Sequence, residues 1–463
     1  MAFGKKRVPT PKEDRLPFFK FMAWKSSDIS SAAVFWIINT YLMQYCSDFL
    51  GMSTLVVGNI LLVSNIIDFF TDFIAAYIID NTNTKWGRGR PYEISIVGMT
   101  LCTIVLFMVP AGANDIVKIL WVFFLYTTIF GVFNTLRSSA QSVYCIRAWN
   151  NNRTVIGKLS SYGGFVTTVG SMVITMTFPV LMSQMVTSAE GWMPLVAIFM
   201  IPLTLIGVLR FIFVKEPAAT ESQKHEKVDL KGILNMMKLN KYAWSFGAMV
   251  LLFNAITSLG TASYYWTYVV GNTAMMGVLS IFSILLLPMM LIMPPLMKKF
   301  TATQIITVFA GIASIGYLIN FFAGSSIPML MVGALLSAMA SLPLSYLGII
   351  IILELCRYNR YLGIPAMESS VTAVFNGFGT QLGQGIGGWL TGAMLALAGY
   401  VSATGDQVVT QPDSAIMMIR LLHSIVPMVM MLLLGVCTWK LTKLSKQIPQ
   451  IEKELAERES AQA

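Results

Sequence analysis

Two carboxylates lie four residues apart in an otherwise apolar part of the sequence. Asp68 and Asp72 belong to the segment 64–80, and residues four apart share one face of a helix, with Thr71 beside them. In a membrane-spanning helix two such carboxylates repel each other and are costly to remove from water, so a cation lies between them or at least one holds a proton. The alternative is a pair that reaches the cytoplasm from a helix end. It is disfavoured because about eight residues separate Asp72 from the next polar loop.

The composition places the chain among proteins that cross a membrane several times. Only 12% of its 463 residues are charged, about half the fraction of a soluble domain, and the mean hydropathy is +0.68. The net charge of +10 comes from small basic groups between apolar runs, which argues against a nucleic-acid partner. The five cysteines have no metal spacing and imply no disulfide framework. Phosphate-loop, HExxH and GxSxG motifs are absent from the sequence, so we expect neither an enzyme nor transport driven by the chain's own ATPase.

Apolar runs long enough to span a bilayer recur along the chain, and we count about twelve. They are 28–46, 53–79, 93–112, 117–144, 159–184, 192–214, 242–269, 273–297, 302–324, 327–355, 367–399 and 414–441. Lysine and arginine are concentrated in the connections after every second run, which places both termini in the cytoplasm of a multi-pass protein of the cell inner (plasma) membrane. We therefore predict an all-α protein with two six-helix bundles. The predicted parts are a cytoplasmic N-terminal segment (1–27), a first bundle (28–214), a cytoplasmic linker (215–241), a second bundle (242–441) and a cytoplasmic tail (442–463).

The second run ends in a polar loop, 80–92, that reads DNTNTKWGRGRPY. This loop, after a span that contains D-x-x-x-D, resembles the connection between helices two and three of the glycoside–pentoside–hexuronide:cation symporters of the major facilitator superfamily. The segments YLMQYCSDFLGMS (41–53), YYWTYVVG (264–271) and GFGTQLGQGIGGWLTG (377–392) extend the resemblance over nearly the whole chain. It implies the major facilitator fold and transport by alternating access.

The resemblance also implies roles for particular residues. Asp68 and Asp72 match the two carboxylates of the family that bind the coupling cation, and Thr135 matches the threonine of helix four that completes a Na⁺ site. Oxygen ligands suit such a hard cation, and a proton would serve as well. The loop residues with an implied gating role, in which charged pairs between loops break when the inner side opens, are Asp80, Lys85, Arg88 and Arg90.

Melibiose permease is a member of this family, and the charged positions with which it binds sugar are replaced in this chain. An acid on helix one, an acid on helix four and a lysine on helix eleven correspond to Ala32, Ser138 and Gln381. In exchange the chain carries Asp28 at the predicted start of the first span and Arg137 within the fourth. Arginine at that depth needs a partner.

Arg137 has two interpretations that do not exclude each other. It forms a structural ion pair with Asp28 or with a carboxylate of helix two. Alternatively it binds an anionic substrate such as an acidic sugar, or takes the place of the coupling ion as a fixed counter-charge.

Three further residues are candidates for substrate contact. Gln381 lies in a glycine-rich helix whose small residues chiefly allow close packing, and its amide suits a sugar hydroxyl. Asn254, in the middle of a span, joins helices or binds substrate, and Trp24 lies near Asp28. The aromatic group Tyr264, Tyr265, Trp266 and Tyr268 is interpreted as an interfacial belt.

The sequence thus predicts a secondary active transporter for cation-coupled symport of a glycoside or related small carbohydrate. We expect no cofactor other than the coupling cation, Na⁺ or H⁺, and a monomer whose partners are a small molecule and the lipid bilayer. One alternative is an uncoupled facilitator, or an organic-anion or acidic-sugar carrier that uses Arg137. A non-transporting membrane sensor is a further alternative, disfavoured because it needs neither the carboxylate pair nor the intact loop.

Overall fold

The computed structural model describes residues 16–110, 112–150, 152–218, 230–280, 285, 292–293, 295–364, 371, 375, 377–402 and 410–462. These residues are mainly helical, because long apolar stretches satisfy their backbone hydrogen bonds within the segment. We call residues 16–218 the first half and residues 230–462 the second half. Part of the predicted linker, at 219–229, and parts of the predicted span 273–297, at 281–284, 286–291 and 294, lie outside the described residues.

The helices of the first half account for the six apolar runs predicted there. They are α1 (Phe18–Gln44), α2 (Thr54–Asp80), α3 (Ser95–Leu106), α4 (Asp115–Thr127), α5 (Thr135–Ala148), α6 (Arg153–Met185), α7 (Trp192–Gly207) and α8 (Leu209–Phe213). A π-helical segment, Thr128–Asn134, joins α4 to α5, and another, Tyr45–Phe49, ends α1. α1 begins at Phe18, so Asp28 lies well inside the helix and not at its start as the sequence indicated.

The second half contains helices that correspond to the remaining runs. They are α9 (Leu230–Leu239), α10 (Lys241–Thr257), α11 (Ala262–Tyr264), α12 (Ala274–Ser280), α13 (Ala302–Ala323), α14 (Ile327–Ala338), α15 (Ser341–Tyr361), α16 (Phe378–Leu397), α17 (Asp413–His423) and α18 (Ile425–Gln462). A π-helical segment, Tyr265–Val270, follows α11. Seven of the described segments are long and apolar enough to cross a membrane. The predicted tail is a continuation of α18.

Glycines allow α16 to lie between helices of both halves. A side chain at Gly383 or Gly387 would overlap backbone carbonyls of α10, and one at Gly388 or Gly392 would press on α2. The small residues thus let three helices approach closely. α12 and α6 form the other extensive contact between the halves, so each half contributes helices to two long seams.

The hydrogen bonds that join the two halves cluster at one end of the molecule. We call the end that carries the loop 81–90 the basic end, and the other, which carries residues 45–53 and 258–273, the opposite end. At the opposite end Gln44 donates to Thr267 over 3.0 Å, and Ser263 donates to the Thr40 carbonyl over 2.8 Å. At the basic end the ion pair between Arg357 and Glu452 lies within the second half.

Candidate functional site

The carboxylate pair faces a hydroxyl group from a neighbouring helix. Asp68 is 3% exposed, and the Thr135 hydroxyl at the start of α5 donates to Asp68 Oδ1 over 2.7 Å. Thr71 Oγ1 donates to the Asp68 carbonyl over 2.9 Å and lies 3.4 Å from Asp68 Oδ1. Thr135 and Gln381 also lie near Asp72. The structure therefore brings together all four residues predicted to bind the cation.

The π-helical turn before Thr135 shapes this site. Its wider winding lets Thr135 Oγ1 contact the Phe130 carbonyl, five residues earlier, over 3.1 Å. Gly131 faces the pair, since a Cβ there would lie 3.5 Å from Thr71 Oγ1 and 3.8 Å from Asp68 Oδ1. π-helical turns often mark functional sites in helices. Here the turn places Gly131 and Thr135 next to the carboxylates.

Gln381 reaches the pair from the other half of the molecule. The sequence assigned this α16 residue to substrate contact, but its side chain lies near both Asp68 and Asp72. The groups around the pair are thus two carboxylates, hydroxyls and an amide. Such oxygens fit a hard monovalent cation, or a proton on one carboxylate.

A second cluster of charges is buried in the first half, between α1, the 3₁₀ turn Arg90–Ile94 that precedes α3, and α8. Arg210 is fully buried, forms an ion pair with Asp28, and lies 3.3 Å from Glu93 Oε2 through Nη1. Lys25 donates to Asp28 over 2.9 Å, and Ser27 donates to Glu93. The sequence analysis missed Glu93 and Arg210. A charged residue in an apolar run was the available signal, because such residues need partners in a membrane.

Arg137 lies at the edge of this cluster and faces a cavity. Its Nη2 donates to Ser31 Oγ over 2.7 Å, and its Nη1 lies 3.8 Å from Asp28 Oδ1. Within the described part of the chain, its buried Nε and Nη1 have no hydrogen-bond partner. The cavity has a volume of about 600 Å³ and is lined by Asp28, Ser31, Ala32, Phe35, Asn134, Arg137, Gln141, Gly164, Thr167 and Thr168. Arg137 thus pairs with Asp28 as one interpretation expected, and it also presents donors to an open space.

The buried cluster holds more positive than negative charge. Its ion pairs join three cations, Lys25, Arg137 and Arg210, to two carboxylates, Asp28 and Glu93. An excess buried charge is costly unless a counter-ion or a ligand balances it. The cavity beside Arg137 is therefore suited to an anionic group.

The other predicted substrate residues lie in different surroundings. Ser138 is exposed and bonds to the Thr135 carbonyl over 3.3 Å. Asn254 donates to the Val250 carbonyl over 2.9 Å and lies 3.4 Å from Thr380 on α16, so it contributes to helix packing. Trp24 is 2% exposed, and the Arg210 guanidinium lies 4.4 Å from the centre of its ring.

A carboxylate from the end of the first half holds the predicted gating loop. Glu216 accepts hydrogen bonds from the backbone N–H groups of Arg88, Gly89 and Arg90 over 2.9, 3.0 and 2.8 Å. Arg147 Nε donates to the same carboxylate over 2.7 Å. We call this arrangement the Glu216 clamp, and its residues all belong to the first half.

The remaining gating residues are placed as follows. Arg90 Nε donates to the Phe211 carbonyl over 2.9 Å, and Lys85 is exposed. The side chain of Asp80 lies outside the described part of the structure. A gating role for these residues stays a prediction.

The sequence indicated an interfacial belt for the aromatic group Tyr264, Tyr265, Trp266 and Tyr268. The structure does not place this group in such a belt. Tyr264 and Tyr265 are each 1% exposed, and Trp266 is 7% exposed. Tyr268 donates to Asp48 Oδ2 over 2.9 Å, and Tyr400 donates to the same carboxylate. Tyr264 meets Ser47 of the first half, Tyr265 donates to the Gly324 carbonyl, and the half-buried Tyr268 meets a carboxylate of the first half. Sequence reasoning did not single out Asp48.

Comparisons with known proteins agree with this architecture. The family described as MFS/sugar transport protein matches residues 26–446. The isoprimeverose transporter of Lactiplantibacillus pentosus is 24% identical over 84% of this chain and 82% of its own length. A glucuronide carrier protein homolog of Escherichia coli (strain K12) is 22% identical over 97% of each chain.

A solved structure agrees with the all-helical transporter fold that the sequence predicts. The nucleoside transporter NupG superposes with a TM-score of 0.62 at 14% identity, covering 93% of this chain and 100% of that one. The chain therefore has the all-helical fold of major facilitator transporters, and it is a transporter and not an enzyme. By the family match over residues 26–446, the chain belongs to the MFS/sugar transport protein family, as its resemblance to the glycoside–pentoside–hexuronide:cation symporters predicted.

Proposed function

We propose that the chain is a secondary active transporter that couples symport of a small carbohydrate to movement of a cation, Na⁺ or H⁺, by alternating access. The observation that carries this proposal is the hydrogen bond from Thr135 to Asp68, with Asp72 one helical turn away. A carboxylate pair on one helix, faced by a hydroxyl group from a second helix, gains stability when a cation neutralises it. We further propose twelve membrane-spanning helices in the plasma membrane, with both termini and the basic end in the cytoplasm.

The position of Gln381 supports coupling between the cation and the two halves. It extends from α16 in the second half to the carboxylates on α2 in the first. When a cation binds, the carboxylate oxygens turn to it and the bonds to Gln381 change. Cation occupancy therefore alters the free energy of the contact between the halves. If the cation tightens substrate binding by some factor, the substrate must tighten cation binding by the same factor.

The conformation described here supports an inward-facing state. Hydrogen bonds between the halves cluster at the opposite end, which we assign to the outside. Outward opening would break the contacts of Asp48 with Tyr268 and Tyr400. The transport cycle then alternates between this arrangement and one in which the basic ends of the two halves meet.

A second observation favours an acidic carbohydrate. Two buried nitrogens of Arg137 have no hydrogen-bond partner among the described residues, and Arg137 borders a cavity in a cluster with excess positive charge. An arginine fork is well matched to a carboxylate.

Arg137 does not face the carboxylate pair. The groups near Asp68 are Thr135, Thr71, Asp72 and Gln381, whereas Arg137 faces Ser31 and Asp28. The use of Arg137 as a fixed coupling charge is therefore not supported.

Binding of Na⁺ to the purified full-length protein tests the proposal. Thermal unfolding is followed across a Na⁺ titration in which K⁺ keeps the ionic strength constant. The variants are Asp68→Asn and Asp72→Asn, and Asp115→Asn is the matched control because that carboxylate is exposed at the start of α4. At a hundred times the dissociation constant a bound ion stabilises by about 2.7 kcal/mol.

We expect saturable stabilisation in the wild type and in Asp115→Asn, and none in the other two variants. Stabilisation that instead follows pH, and that is lost in the same two variants, assigns the site to protons. Na⁺ stabilisation that persists in Asp68→Asn, or indifference of the wild type to both ions, would show that the pair is not a coupling site.

A further inference from the structure

A second cavity lies on α1, on the other side of Phe35 from Arg137. Phe35 lines both cavities. The second, which we call the outer cavity, has a volume of about 250 Å³. Its polar and aromatic lining groups come from α1 and from three regions of the second half. They are Trp36, Asn39, Thr257, Thr261, Tyr317 and His423.

The outer cavity has a buried donor that nothing in the protein satisfies among the described residues. Asn39 Nδ2 is buried and has no hydrogen-bond partner there. A buried amide donor left unpaired is unfavourable, and a hydrogen bond to a ligand oxygen would remove this cost. His423 is held nearby by stacking on Tyr265 at 4.3 Å, and its Nδ1 lies 3.4 Å from Thr261 Oγ1.

The lining indicates the chemistry of the occupant. The lining residues include an amide, hydroxyls, an imidazole and the aromatic side chains of Phe35, Trp36 and Tyr317, but no lysine, arginine or carboxylate. Sites of this kind combine apolar walls with a few polar groups that orient a neutral ligand. Hydroxyl groups would bond to the Asn39 amide, and the less polar faces of a sugar ring would lie against the aromatic rings.

Helix geometry gives the separation of the two cavities. Ser31, which contacts Arg137, and Asn39 are eight residues apart in α1, and this spacing corresponds to a rise of about 12 Å. One ligand could contact both only if it were longer than a single sugar ring.

We propose that the outer cavity is a second substrate subsite that binds a neutral sugar unit, while Arg137 binds an acidic unit of the same molecule. This inference rests on the proposed transport of an acidic carbohydrate and specifies its size. The lining groups of the outer cavity belong to both halves, which meet at this end. The neutral unit is therefore released when the halves separate there.

Binding to the purified full-length protein tests the second subsite. The probes are glucuronate, a disaccharide in which glucuronate is joined to xylose, and cellobiose as an uncharged disaccharide. Affinities are measured by calorimetry in saturating Na⁺ and again at low pH. The variants are Asn39→Ala and Arg137→Gln, with Asn81→Ala as the matched control because Asn81 is exposed at the end of α2.

For the wild type we expect the acidic disaccharide to bind roughly tenfold more tightly than glucuronate, the value of one buried hydrogen bond. Asn39→Ala should remove that margin and leave the affinity for glucuronate within twofold. Arg137→Gln should weaken both acids, cellobiose should bind more weakly than the acidic disaccharide, and Asn81→Ala should behave as the wild type.

Two outcomes separate failure of the subsite from failure of the proposed substrate class. If both acids bind equally to the wild type and depend on Arg137, the outer cavity is not a subsite, although acidic transport stands. If cellobiose binds as well as the acidic disaccharide and Arg137→Gln changes nothing, the acidic class is wrong, and the subsite assignment that rests on it fails as well. The comparison of probes on the wild type decides the question even where Asn39→Ala does not fold.

Discussion

Removal of the Glu216 carboxylate is expected to destabilise the first half of the molecule. The side chain is fully buried and accepts four hydrogen bonds, three from consecutive backbone N–H groups and one from Arg147. Gly87 adjoins it so closely, at a φ of +101°, that a Cβ there would overlap the carboxylate. Glu216→Ala leaves these donors without their acceptor.

The contacts set the size of the effect. Hydrogen bonds to a charged group contribute about 1.5–3 kcal/mol each, but the freed donors partly reach water because Arg147 is 31% exposed. Breaking a buried pair by removal of one partner costs about 3–5 kcal/mol. A unit of 150–250 residues loses roughly 2–4 °C per kcal/mol. We therefore expect the unfolding temperature to fall by about 6–20 °C.

Thermal unfolding of the purified full-length protein, followed by tryptophan fluorescence, measures this shift. Glu190→Ala is the matched control, because it removes an exposed carboxylate from the same half. Glu216→Gln should lie between Glu216→Ala and the wild type, since one acceptor oxygen remains. An unfolding temperature of Glu216→Ala within 2 °C of the wild type would refute the clamp as a stabilising contact.

Three further predictions concern the cation site and the contact between the halves. Thr135→Ala should weaken cation affinity roughly tenfold through loss of one oxygen ligand, and Thr135→Ser should retain that affinity. Na⁺ or pH titration measures it, and equal affinities in the wild type and both variants would argue against the site. Tyr268→Phe removes a donor to Asp48, so we expect about fivefold faster labelling of Thr267→Cys from outside by an impermeant maleimide, and unchanged labelling would contradict a closing role. Gly392→Ala places a methyl group against a backbone carbonyl of α2. It should also speed labelling of Thr267→Cys, because the methyl group forces the halves apart. Slower labelling would show that the contact between α16 and α2 does not hold the halves together.

The sequence by itself determined the class of the protein and the position of its carboxylate pair. Apolar runs and alternating basic connections are local patterns, and the helical period alone places Asp68 and Asp72 on one face. The family resemblance added Thr135 by its position in the chain, and the structure puts its hydroxyl 2.7 Å from Asp68. The close packing expected of the glycine-rich helix is present in α16, because a missing Cβ acts through immediate neighbours.

Only the tertiary structure decided which distant residues meet. Arg210 and Asp28 are 182 residues apart and Tyr400 and Asp48 are 352 apart, yet both pairs are in contact. No local period relates such positions, since their meeting depends on how whole helices pack. The same packing turned Gln381 towards the carboxylate pair and buried the tyrosines that the sequence placed at an interface. A charged or aromatic residue in one sequence shows that a partner is needed, but only the arrangement of the helices shows which one it is.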